Sequence, residues 1–247
     1  MTALAPTIEA FFTERLITQR QASPRTVAAY RDTLRMLLVF AQDRTGKAPS
    51  QLDVTDVDAT LVSAFLTHLE QERHNSARTR NTRLAAIHSL FRYAAYRHPE
   101  HAHTIQLVLA IPSKRHDKRE VDYLNSAEAA ALLAAPDRTT WIGRRDHTLL
   151  VLAIQTGLRV SELTHLTIAD IELGPGAHLR CHGKGRKDRA TPLTPQTVAL
   201  LQQWMKERSG APNDPVFPTS RGRLLSVDAV QWLVAKHTKI ASQAQTS

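Results

Sequence analysis

Two short stretches carry residues whose types and spacing suit phosphate chemistry. Thr156-Gly157-Leu158-Arg159-Val160-Ser161-Glu162-Leu163 sets an arginine just past a glycine, and Gly183-Lys184-Gly185-Arg186-Lys187-Asp188-Arg189 sets a lysine between two glycines. Leu158 and Val160 flank Arg159, so the arginine reads as buried. A buried arginine must be paired or must face a ligand, because an uncompensated buried charge is very costly. Glu162 lies one helical turn on and is placed to orient the guanidinium. The planar fork suits two non-bridging phosphate oxygens. The same spacing also fits a surface ion pair on a short helix, which is worth little. The glycines beside Lys184 permit a tight turn and close approach of a polyanion. Residues 180–189 hold five basic groups against Asp188. An ordinary polar hairpin is the other reading of that turn, since turns favour these residue types. Taken together, Arg159 and Lys184 are two of the charges needed to hold and protonate a phosphodiester.

The elements that must position these residues are mostly helices. Ser23-Pro24 is an N-cap followed by proline at the first helical position, and apolar residues then recur at helical spacing from Val27 to Ala41. A second helix is expected from about Thr55, with Asp58 completing a capping box and Val57, Leu61, Phe65 and Leu69 on one face. A third runs from about Ser76 to Tyr96, with Leu84, Ile87, Phe91 and Ala94 inward. Asn125 caps an alanine- and leucine-rich helix to Ala135, and another helix ends at Gly157. A short helix follows near 160–166. His178–His182 and Arg189–Leu193 read as strands around the Lys184 turn, and two helices close the chain.

Residues 73–97 contain six arginines, Arg73, Arg78, Arg80, Arg83, Arg92 and Arg97, and no acid. Solvated helix faces normally mix signs. The absence of carboxylates favours phosphate contact over a merely solvated face. Residues 113–122 are polar and charged, with no apolar periodicity, and read as an interdomain linker.

Composition limits the function classes. The chain has 247 residues and 42% hydrophobic residues, which excludes global disorder. Its net charge of +9 and pI of about 10.1 favour a polyanionic partner. No apolar run has the length of a membrane span, and no leader pattern opens the chain, which points to the cytoplasm. The single cysteine, Cys181, excludes an internal disulfide and a cysteine zinc cluster. The histidines are scattered without ligand spacing, so no metal and no other cofactor is expected.

The two motifs in succession, with Asp170-Ile171 and Pro192-Leu193 between and after them, resemble the tyrosine recombinase (phage integrase) family, near its Xer-type members. Ser23–Tyr30 and Thr79–Leu84 resemble the family's SAM-like core-binding domain. The resemblance implies a mainly α fold with a small β-hairpin or sheet. It implies a core-binding domain over 1–112, a linker over 113–122 and an incomplete catalytic domain over 123–247. It implies site-specific recombination or DNA integration on duplex DNA, with self-association on the DNA and no metal. In the family a tyrosine attacks the phosphodiester, arginines stabilise the added charge and a hairpin lysine protonates the leaving oxygen. By resemblance Arg159 is the first catalytic arginine, Lys184 the hairpin lysine and Glu162 the supporting acid. Arg78, Arg80, Arg83, Arg92, Arg186, Lys187 and Arg189 are the expected DNA contacts. Arg80→Ala and Arg83→Ala are expected to weaken binding and leave the fold intact.

The family pattern continues with a His-x-x-Arg box and a tyrosine after the hairpin. Here the tyrosines are Tyr30, Tyr93, Tyr96 and Tyr123, all before Arg159, and the one histidine beyond the Lys184 turn, His237, has no arginine three residues on. His116-Asp117-Lys118-Arg119 matches the box by letters but lies upstream and reads as chance. The sequence is therefore expected to lack strand cleavage, to expose some apolar surface and to be marginally stable. A non-catalytic DNA-binding remnant, competing at recombination sites, is the alternative reading.

Overall fold

The structure, a computed structural model, describes residues 3–117, 123–182 and 188–245. The chain divides into two compact units, Met1–Glu120 and Val121–Ser247. Each is described by itself.

The first unit is all helical. Helix α1 (Leu4–Ala10) continues as π-helical turns over Phe11–Gln19, and is followed by α2 (Pro24–Thr45), α3 (Ala59–Gln71), α4 (Ala77–Arg97) and α5 (Ala102–Leu109). Ser23 caps α2 by accepting the Thr26 N–H at 3.2 Å, and Gly46 ends it with φ +70°. Such a left-handed C-terminal residue favours glycine, which has no Cβ to clash. The expected capping box at Thr55 and Asp58 is corrected. Asp53 and Asp56 form the box around a single 3₁₀ turn, and Asp58 caps α3 by itself, accepting the Leu61 N–H at 2.8 Å. Three aspartates within six residues offered two registers, and in the one adopted Val54 and Val57 are both fully buried. Phe11, Leu37, Phe65, Leu69, Ile87 and Phe91 are fully buried at the centre of this unit.

Residues at the start of the expected linker fold onto this first unit. Asn81 on α4 donates from Nδ2 to the Lys114 carbonyl at 2.8 Å and accepts the Lys114 N–H at 3.0 Å. Lys114 Nζ also meets Glu70 Oε2 at 2.7 Å.

The second unit contains α6 (Ser126–Ala134), α7 (Trp141–Thr156), α8 (Val160–His165), α9 (Pro195–Arg208) and α10 (Val227–Gln245). Asn125 and Glu128 form a reciprocal capping box at the start of α6. Between α8 and α9 lies an antiparallel sheet in the order β1 (Ile171–Glu172), β2 (His178–His182), β3 (Asp188–Pro192). The expected hairpin is therefore two strands of a three-stranded sheet. The register pairs Arg180 with Ala190 and Cys181 with Arg189. Trp204 on α9 anchors the core of this unit: its ring lies 5.2 Å from Trp141, and its Nε1 donates to the Val216 carbonyl at 2.9 Å. On α10, Val230, Leu233 and His237 face inward while Trp232 and Ile240 are exposed.

Candidate functional site

Helix α7 ends at Gly157, whose φ of +61° reverses the chain. The next residues alternate: Leu158 enters the core, and Arg159 points outward as the N-cap of α8. The expected burial of Arg159 is thus corrected. Its side chain is 62% exposed, because extended backbone at the cap (φ −66°, ψ 150°) sends successive side chains to opposite sides. The buried charge is its partner. Glu162 is only 6% exposed and is surrounded by donors. Its Oε2 accepts the Arg159 backbone N–H at 2.9 Å, and its Oε1 accepts Arg159 Nη1 at 2.9 Å. From β3, Arg189 donates through Nη2 to Oε2 at 2.9 Å and through Nη1 to Oε1 at 3.5 Å. Burial pushes the Glu162 carboxyl upward, but the Arg159 hydrogen bonds and the charges of Arg189 and Arg159 outweigh it, and the group titrates below its ordinary value.

This arrangement leaves one carboxylate between two guanidiniums. Arg159 Nε and Nη2 make no hydrogen bond among the described residues, and the side chain is 62% exposed. That edge of a guanidinium can take two oxygens of a phosphate. Lys184, Arg186 and Lys187 lie outside the described residues.

The arginines of α4 serve two ends. Arg78 and Arg92 are exposed, and their side chains make no hydrogen bond or ion pair among the described residues. Arg83 is half-buried and donates from Nη1 to Thr33 Oγ1 at 2.9 Å on α2. Arg80 is 6% exposed and donates from Nη1 to the Pro112 carbonyl at 2.9 Å. The expectation that Arg80 is a surface contact removable without cost to the fold is corrected: its side chain joins α4 to the segment that leaves α5. Sequence periodicity could have raised this, since Arg80 precedes the inward Leu84 by one helical turn.

A buried polar cluster escaped sequence reasoning. Asp146 on α7 accepts Arg145 Nη2 at 2.7 Å and Nε at 2.9 Å on one oxygen, and meets His237 Nε2 of α10 at 3.1 Å on the other. Arg145 Nη1 donates to the Pro218 carbonyl at 2.9 Å. All three side chains are buried. Adjacent Arg-Asp letters and a lone histidine give no signal of such a contact. Among the described residues no group of three or more His, Cys, Asp or Glu is placed to hold a metal. None of the described helices is long and apolar enough to cross a membrane.

A SAM-like helical unit, followed by a unit with a three-stranded sheet and an exposed arginine capping a helix on a buried glutamate, defines a tyrosine recombinase architecture. Residues 9–98 match the phage integrase N-terminal SAM-like domain, and residues 122–246 match the phage integrase family. The integrase/recombinase-type protein y4rC of Sinorhizobium fredii is 53% identical over 99% of this chain and 74% of its own length. The tyrosine recombinase XerC of Pelobacter propionicus is 34% identical over 92% of this chain and 72% of its own. The chain belongs to the phage integrase family. Its fold is shared with a lambda integrase tetramer bound to a Holliday junction (TM-score 0.68, 18% identity, 98% of this chain, 67% of that one). It is shared equally with the XerH site-specific recombinase bound to its difH substrate (TM-score 0.67, 22% identity, 90% of this chain, 65% of that one).

Proposed function

We propose that this chain binds duplex DNA and acts in site-specific recombination or DNA integration, with Arg159 holding the phosphate at the crossover position. The observation that carries this reading is the Arg159–Glu162–Arg189 cluster: two partly exposed guanidiniums fixed on one buried carboxylate. The solved relatives described as DNA complexes support the same reading.

In this reading each residue has a task. Glu162 fixes the Arg159 backbone and side chain together, so the fork is aimed before DNA arrives. The Nε–Nη2 edge of Arg159 neutralises charge on the non-bridging oxygens, which grows as the phosphate becomes five-coordinate. Lys184, by resemblance, gives a proton to the leaving oxygen. Arg78 and Arg92 hold the duplex through its backbone, which adds affinity but no sequence information. Of the tyrosines in these 247 residues, Tyr93 is buried and donates to Glu14 Oε2 at 2.8 Å, and none follows Arg159. The covalent step is assigned to none of them.

Mixing the protein with nicked duplex DNA, then comparing native and denaturing gels, tests both parts. The expected result is a salt-sensitive native shift that vanishes on denaturation. No shift at low salt overturns the DNA assignment. A band surviving denaturation overturns the statement that these residues carry no nucleophile.

A further inference from the structure

We propose that Arg189 is a positioning residue, which locks the Glu162 carboxylate from the β3 side so that Arg159 presents its fork in one orientation. The proposal rests on the reading of Arg159 as the phosphate-holding arginine.

The two arginines on Glu162 differ in what they have left to offer. Arg159 uses one terminal nitrogen, Nη1, and among the described residues its Nε and Nη2 make no hydrogen bond. Arg189 turns both terminal nitrogens toward the carboxylate, Nη2 at 2.9 Å and Nη1 at 3.5 Å. With both terminal nitrogens turned to the carboxylate, the fork end of Arg189 is taken up, and only its Nε side edge is left to offer. Sequence reading placed Arg189 among the DNA contacts; here its terminal nitrogens meet Glu162 while its side chain stays 41% exposed. Glu162, at 6% exposure, would be a costly isolated charge, and one arginine at the exposed helix cap offsets that only in part.

Placement gives the contact its purpose. Arg189 pairs across the sheet with Cys181 and is the second residue of β3, which follows Lys184 in sequence. Glu162 belongs to the first turn of α8, which Arg159 caps. The Glu162–Arg189 bond therefore ties β3, the strand that follows Lys184 in sequence, to the helix end holding Arg159. Among the described residues the groups bonded to Glu162 are Arg159 from the helix cap and Arg189 from β3, and the Cys181 thiol of β2 feels the charge of the carboxylate.

The test is made first on DNA-free protein. Carbon-detected NMR follows the Glu162 carboxyl, assigned with Glu162→Gln, together with the Arg159 Nε–H resonance. Arg189→Gln is expected to raise the Glu162 midpoint by about one pH unit and to shift the Arg159 resonance. Arg189→Lys keeps the charge without the fork, so its midpoint falls between the two while the Arg159 resonance still moves. If Arg189→Gln does not fold, Arg189→Lys carries the test. On duplex DNA, Arg189→Gln should weaken binding without changing the salt slope, whereas Arg78→Gln should lower that slope by about one. An unmoved Glu162 midpoint and Arg159 resonance overturn the proposal. So does a salt slope that drops as it does for Arg78→Gln. Absence of DNA binding by the unaltered protein would sink the functional reading instead, and the carboxyl titration would still decide the role of Arg189.

Discussion

Arg80 on α4 donates to the carbonyl of Pro112 at 2.9 Å, 32 residues further along the chain. Arg78, two positions earlier, is exposed, and its side chain makes no hydrogen bond or ion pair among the described residues. Neighbouring arginines of one basic helix thus sit in opposite surroundings. Arg80→Ala should lower the stability of the first unit by about 1–3 kcal/mol, since it empties a buried site and leaves a carbonyl without its donor. Arg78→Ala should leave stability unchanged and weaken DNA binding, with a shallower salt dependence. Urea unfolding and salt-titrated binding on both variants separate the two, and equal behaviour would show the distinction to be wrong.

The Asp146 carboxylate is the hinge of the buried cluster in the second unit. Asp146→Ala strands the buried Arg145 guanidinium and should cost about 3–5 kcal/mol. His237→Phe keeps most of the volume and removes one hydrogen bond, so it should cost about 1 kcal/mol. Chemical denaturation compares them directly. A larger loss from His237→Phe would mean that the histidine, not the ion pair, organises the cluster.

Gly143 sits in the first turn of α7, where a Cβ would strike the backbone carbonyl of Asp137. Backbone cannot swing aside as a side chain can. Gly143→Ala should therefore destabilise the second unit by about 1–3 kcal/mol. DNA affinity measured well below the melt should not change. An unaltered melting temperature would show that the turn at Asp137 yields freely.

Acid should loosen the α8 cap. The Glu162 carboxyl titrates below its ordinary value, so its contribution to stability is fully present above the unfolded-state pKa of about 4.3 and is lost as pH falls through the lower folded value. The unaltered protein should lose stability relative to Glu162→Gln only in that acidic window. Parallel stability curves for the two proteins below pH 5 would contradict this.

How much was legible in the sequence follows from range. Ser23, Asn125 and Gly157 end or begin helices through bonds within four residues, and each was readable from its letters. The register of the Asp53–Asp58 segment was not, because its letters allow two similar caps, and Val54 is buried in the one adopted. Strand β1 spans two residues, too few to show a period of two. Arg159 and Glu162 were found as a pair, but which of them is buried depends on how β3 packs against α8. The His237–Asp146 contact spans 91 residues, and nothing local announces it.

The double grip on Glu162 has an entropic consequence. Arginine is among the side chains with most rotational freedom to lose when it binds a ligand, at about 0.5–1.5 kcal/mol for each one immobilised. Around Glu162 the backbone of Arg159, its Nη1 and the fork of Arg189 are already fixed in the free protein. The ordering loss falls on folding, and little of it remains to oppose the capture of a phosphate.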